Sequence, residues 1–216
     1  MKTSKRTHEG RVALVTGACQ GIGQAIALAL AERGARVIAT DLKPPQETAR
    51  KIGPTATALQ LDVTQEEDWR SASVKSRDVG EVDIVVNNAG YFPNRHIEEL
   101  DLPTWRKTMA TNLDSHFLSA KYFLPAMRKK RWGRFVGISS NMVGLAIPGM
   151  SHYVASKMGI VGFMRGWRMM LPTTVLPQMR SCPASRIHWP SRLNRKSKNA
   201  PHGDSRQSNG SGNPRI

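Results

Sequence analysis

Cysteine is almost absent: Cys19 and Cys182 stand far apart in a chain of 216 residues. Neither has a C-x-x-C partner, so a disulfide framework and a thioredoxin-like redox motif are excluded, and a reducing, cytoplasmic setting is expected. Long apolar runs are missing as well. The longest, Ile22 to Ala31, is broken by Gly23 and Gln24 and ends in Glu32-Arg33. It is too short to cross a bilayer, so no membrane partner is expected. The first eleven residues are polar and basic with no apolar stretch behind them, which does not read as a secretory signal. His96, His116 and His152 lack metal-ligand spacing, and no metal is expected. Acidic residues are scarce, 16 against 32 Lys and Arg, and the net charge of +16 excludes an acidic solvating protein while leaving polyanion attraction open.

That charge is uneven. Residues 167–216 hold nine of the basic residues and one acidic residue, with six of the 13 prolines. Their apolar spacing fits neither helix nor strand, and their composition predicts a tail without packed structure. Residues 8–166 read as one α/β domain.

Within it, short apolar runs alternate with helical patterns. Val12-Ala13-Leu14-Val15, Ala35 to Thr40, Thr57 to Leu61, Val82 to Val86 and Arg134 to Ser140 predict five strands. Helices are predicted after Ile22, before Gly53, from a Thr64/Glu67 capping box to about Val79, from Thr104 to Lys130 with Pro125 inside, and from Ser151. Near-continuously apolar strands between helices argue for a doubly wound parallel sheet.

Three constellations carry chemistry. Thr16-Gly17-Ala18-Cys19-Gln20-Gly21-Ile22-Gly23 lies between a predicted strand and helix. Glycines there permit the close backbone approach and free N–H groups that a pyrophosphate needs, although Gly-rich turns also simply join elements. Asp41 ends the second predicted strand. An acidic residue at that distance hydrogen-bonds ribose hydroxyls and repels a 2′-phosphate, which favours NAD over NADP; a capping or solvated aspartate is the plainer reading. Tyr153 and Lys157 are four apart and share one helix face, where an ammonium can acidify a phenol whose ordinary pKa is about 10. A Tyr/Lys pair by itself is also common on plain helix surfaces.

Taken together with Asn87-Asn88-Ala89-Gly90, Asn112 and Ile138-Ser139-Ser140, these motifs resemble the short-chain dehydrogenase/reductase family in order and spacing over about residues 8–166. The resemblance implies a Rossmann-like fold and a hydride exchange between NAD(H) and a small secondary alcohol or ketone. It implies Tyr153 as general acid/base, Lys157 on the nicotinamide ribose, Ser140 on the substrate oxygen and Asn112 holding a relay water. Gly17, Gln20, Gly21, Ile22 and Gly23 would meet the pyrophosphate region, Asp62 and Val63 the adenine, and Asn88, Ala89 and Gly90 the adenosine ribose. Homodimers or homotetramers are typical of such proteins. His152, beside Tyr153, is expected at the substrate pocket or simply exposed. The context of Asn94 to Thr111 and Ser151-His152-Tyr153 resembles the aryl- or alkyl-alcohol dehydrogenase branch. A 3-oxoacyl-carrier-protein reductase and an inactive remnant are the alternatives.

The resemblance stops at Gly166, after which the family's sixth strand and Pro-Gly are not legible, so the C-terminal strands are expected to be missing. Codons compatible with Gly166 to Met170, read from the third base of the Gly166 codon, encode Leu-Ala-Asn-Asp. Those for Leu171 to Ala184 permit Val-Ala-Asp-Tyr-Gly-Ile-Thr-Ala-Asn-Ala-Val-Val-Pro-Gly, the expected continuation. The expectation is therefore that one lost nucleotide put residues 167–216 out of frame. Out-of-frame translation accounts for the basic tail better than a nucleic-acid-binding arm does, since the tail has no aromatic platform.

Overall fold

The computed structural model describes residues 6–168 and 175–180. Six strands, β1 Val12–Thr16, β2 Arg36–Asp41, β3 Ala56–Gln60, β4 Ile84–Asn87, β5 Gly133–Ile138 and β6 Val175–Arg180, form one sheet in the order β3-β2-β1-β4-β5-β6. Every pairing is parallel. The helices are α1 Gly21–Glu32, α2 Gln46–Ile52, α3 Glu66–Lys75, α4 Leu102–Met109, α5 Ser115–Lys130 and α6 Ser151–Arg168.

The central strands β1 and β4 are buried along their whole length because helices cover both faces. Side chains alternate across the sheet, so Val12 and Leu14 join Trp69, Leu118, Phe123, Met127, Phe135 and Ile160 under α3, α5 and α6. Ala13 and Val15 join Val37, Ala39, Ile84 and Val86 under α1, whose Ala27 is fully buried. Small residues on that second face let α1 approach closely. Chain order reverses between β1 and β4, which opens a crevice at their carboxyl ends.

Two expectations for the carboxyl end are corrected. The sheet does not stop at β5: the backbone of β6 pairs with it from Gly133↔Val175 to Ile138↔Arg180. Strand pairing is a backbone interaction that an open parallel edge can accept from a weakly patterned segment, and an edge strand tolerates Pro177. Trp167, the first residue of the tail expected to lack packed structure, is part of α6. Its ring meets Phe135 edge-on at 5.1 Å and Phe163 at 5.9 Å, because residues 163 and 167 share the face turned to the sheet. Residues 169–174 and 181–216 of the expected tail lie outside the described residues.

Two local readings change too. Thr64 does not cap α3; its backbone N–H and hydroxyl bond the Asp62 carboxylate at 2.9 and 2.7 Å, and Gln65 precedes the helix without a side-chain cap. The helix expected over Thr104 to Lys130 starts at Leu102, where the Asp101 side chain accepts the Thr104 N–H at 2.7 Å. A π turn over Ala110–Asp114 then joins α4 to α5.

Candidate active site

A cleft of about 960 Å³ lies over the carboxyl ends of the strands. Its floor is the turn between β1 and α1. Gly17 and Gly21 have φ of 67° and 59°, which only glycine adopts easily. A Cβ on Gly23 would lie 2.1 Å from the Gly17 carbonyl oxygen, whereas one on Gly21 would meet nothing within 4 Å. The turn is tied to the end of β4: Asn88 Nδ2 donates to the carbonyls of Thr16 and Gly17, and the Asn88 and Ala89 N–H groups donate to Thr16 Oγ1. The amino end of α1 has no side-chain cap and no acidic residue in its first turn. Free N–H groups and open space above Gly21 suit a pyrophosphate, so the floor fits a dinucleotide.

Asp41 stands at the end of β2, its carboxylate accepting the N–H groups of Cys19 and Leu42 at 2.9 and 2.8 Å. It thus closes the side of the Gly-rich turn where an adenosine ribose would rest. The Cys19 thiol beside it is pushed up in pKa by burial and then by the Asp41 charge, so it is a poor thiolate. Asp62 and Val63 follow β3. The Asp62 N–H bonds Asp68 and the Val63 carbonyl accepts the indole N–H of Trp69 at 2.9 Å, which fixes this wall by its backbone.

The opposite wall comes from β5 and α6. Ser140 lies two residues past the end of β5, and its Oγ accepts the Met142 N–H at 3.2 Å. Tyr153 and Lys157 lie on the α6 face turned to the cleft. The Lys157 ammonium is 5.6 Å from the Tyr153 ring centroid and donates to the Ile138 carbonyl at 2.7 Å. Lys157 is only 4% exposed, and burial lowers its pKa to about 8.

Gly17, Gln20, Gly21, Ile22, Gly23, Asp41, Asp62, Val63, Asn88, Ala89, Gly90, Ser140, Tyr153 and Lys157 all line this one cleft. Asn112 does not. It is fully buried behind the wall in the π turn, with Oδ1 accepting the Tyr91 N–H at 2.8 Å and Nδ2 donating to the Tyr91 carbonyl and Ser156 Oγ, each at 3.0 Å. On this side chain, a relay water would find a single Oδ1 lone pair left.

His152 is neither exposed nor at the pocket. It is fully buried, and its Nε2 lies 3.0 Å from the Pro93 carbonyl. A residue next to a cleft-facing tyrosine on a helix points a quarter-turn away, here under the segment after β4. That segment brings Phe92, which no motif flagged: it lines the cleft, its ring meets Tyr153 edge-on at 6.0 Å, and the residue is 65% exposed. Arg106 and Lys107 also reach the cleft, and helical spacing after Asp101 was the only available signal for them. Among the described residues, no group of three His, Cys, Asp or Glu side chains is placed to hold a metal, and no helix is long and apolar enough to cross a membrane.

Residues 11–184 match the family model of the short chain dehydrogenases. The chain belongs to the short-chain dehydrogenase family. This short-chain dehydrogenase is 41% identical over 158 residues to the 3-oxoacyl-[acyl-carrier-protein] reductase FabG of Escherichia coli, covering 72% of this chain and 65% of that protein. The corresponding FabG of Vibrio cholerae is 40% identical over the same shares. The chain therefore spans somewhat less than two thirds of the length of these curated relatives. A putative short-chain alcohol dehydrogenase from Sinorhizobium meliloti superposes with a TM-score of 0.72 at 37% identity, over 75% of this chain and 67% of that one. A metagenomic short-chain oxidoreductase solved in complex with NADP superposes with a TM-score of 0.77 at 29% identity, over 82% and 84%.

Proposed function

We propose that this chain is a nicotinamide-dependent oxidoreductase that interconverts a small secondary alcohol and a ketone. The observation that carries this reading is the convergence of Ser140, Tyr153 and buried Lys157 on one wall of a cleft whose floor fits a pyrophosphate. When bound, the nicotinamide supplies a hydride acceptor or donor. Gly17 to Gly23 would hold its pyrophosphate, Asp41 its adenosine ribose, and Asp62 with Val63 its adenine.

The chain's own groups handle the substrate and the proton. Ser140 Oγ orients the substrate oxygen by a hydrogen bond. Tyr153 Oη takes the hydroxyl proton during oxidation and returns it during reduction. The Lys157 ammonium, held by the Ile138 carbonyl, keeps a positive charge beside that phenol. Phe92 and Tyr153 form an apolar edge that suits a substrate with an alkyl or aryl group next to the reacting carbon.

Asp41 favours NAD, because a carboxylate at the ribose repels a 2′-phosphate. The NADP-bound neighbour and the FabG relatives support a second reading, an NADPH-dependent reduction of 3-oxoacyl groups. Two copies would pair through α5 and α6, where Phe117 is half exposed. The test is the purified chain with NADH or NADPH and a panel of alkyl and aryl ketones, read by loss of reduced-nicotinamide absorbance. Turnover that disappears in Tyr153→Phe supports the enzyme. No turnover with either cofactor, in a chain that still folds, leaves a nucleotide-binding remnant.

A further inference from the structure

Behind Lys157 lies a second imidazole with no assigned role. His116 sits in the first turn of α5 and is 2% exposed. Its Nδ1 is 3.4 Å from Ser115 Oγ. Ser115 spends its one proton on the Thr111 carbonyl at 2.7 Å. This neighbour of Nδ1 is thus an acceptor, so Nδ1 carries the ring proton and Nε2 is left with a bare lone pair. That Nε2 is buried and has no hydrogen-bond partner.

Its position points to one donor. The ring lies against Gly137 of β5, where a Cβ would come 3.0 Å from Nε2. The next residue, Ile138, holds the Lys157 ammonium by its carbonyl. Lys157 has donors to spare beyond that bond, and its charge reaches the imidazole, which burial and then this ammonium hold down to about 3. Tyr153 faces the cleft, Asp114 on the adjoining turn is exposed, Arg134 is at the opposite end of β5, and β4 carries none.

We propose that His116 is a positioning residue for Lys157, its Nε2 lone pair accepting from the ammonium through one bridging water. A buried acceptor and a buried cation separated by more than direct hydrogen-bond reach are the setting in which such a water is held. The lysine is then braced from two sides, by the Ile138 carbonyl and by the imidazole, and its charge stays under Tyr153. The arrangement transfers no proton in the resting protein. It rests on the oxidoreductase reading only for its use in catalysis; the contact itself does not.

Two measurements decide it without turnover. Ring ¹⁵N shifts of the full-length wild-type chain are expected to show neutral His116 with the proton on Nδ1; a proton on Nε2 overturns the proposal. The Lys157 side chain, followed by ¹³C NMR against pH, is then compared in wild type, His116→Val and His116→Gln. An acceptor favours the charged ammonium, so its loss in the valine variant is expected to move the Lys157 titration down by about one pH unit. The glutamine amide oxygen restores it in part. Identical titrations in all three chains make His116 a packing residue and overturn the proposal. If the valine variant does not fold, the wild-type tautomer and the glutamine chain still decide. Absence of ketone turnover in wild type counts against the oxidoreductase alone and leaves both NMR results standing.

Discussion

Asn112 and Ser156 share a buried hydrogen bond of 3.0 Å that joins the π turn before α5 to the residue preceding Lys157. Ser156 Oγ in turn donates to the Tyr153 carbonyl at 2.7 Å. Asn112 thereby fixes the helix that carries Tyr153 and Lys157, and through Tyr91 it also fixes the loop that carries Phe92. Asn112→Ala strips partners from Ser156 and from the Tyr91 backbone at once. It is expected to destabilise the fold by about 2–4 kcal/mol and to lower kcat at least ten-fold, more than KM changes. Chemical denaturation and steady-state kinetics check both. Unchanged kcat in a folded variant removes Asn112 from the positioning of Tyr153 and Lys157.

Lys157 costs the fold stability. The folded chain releases this proton near pH 8, the unfolded chain near 10.4. Between those values the unfolded state binds more protons, so stability rises with pH; below 8 the whole cost, about 3 kcal/mol, is present. Lys157→Met is expected to raise unfolding free energy at pH 7 by about 2–3 kcal/mol and to abolish turnover. In the same denaturation series, the wild-type gain between pH 8 and 10 is expected to disappear.

His116 makes the opposite end of the pH range vulnerable. Its folded pKa of about 3 lies below the unfolded value near 6.5. From 6.5 down to 3 the unfolded state takes up the extra proton, so stability falls as the pH falls through that window, by on the order of 4–5 kcal/mol at its foot. The difference between wild type and His116→Gln, measured as unfolding free energy against pH, isolates this term. A flat difference from pH 6.5 to 4 refutes it.

Asp41 is expected to set the cofactor preference. Asp41→Ser removes the charge that would meet a 2′-phosphate, while a hydroxyl remains near Cys19 N–H. The ratio of NADP to NAD affinity is expected to rise at least ten-fold, the equivalent of about 1.4 kcal/mol. Fluorescence titration with each reduced cofactor measures it, and an unchanged ratio places the discriminating contact elsewhere.

Restoring the reading frame at codon 166 by one nucleotide is expected to add the family's own sixth strand and Pro-Gly. The restored chain is then expected to melt at a higher temperature than the present one. Equal melting temperatures, or a downstream DNA sequence with no such strand in any frame, dispose of the frame-loss account.

Local pattern alone determined much of this protein. Alternating apolar runs predicted strands β1 to β5. The glycine spacing placed a turn that only such a backbone can make, and the four-residue interval put Tyr153 and Lys157 on one helix face, because these features depend on neighbours within a turn or two of chain. Only the tertiary structure decided what lies behind that face. The burial of Asn112 against Ser156, the burial of His152 under Pro93, the bare Nε2 of His116 beside β5 and the pairing of Val175–Arg180 with β5 join segments far apart in sequence. Such contacts depend on which elements the sheet brings together, and no local periodicity encodes that.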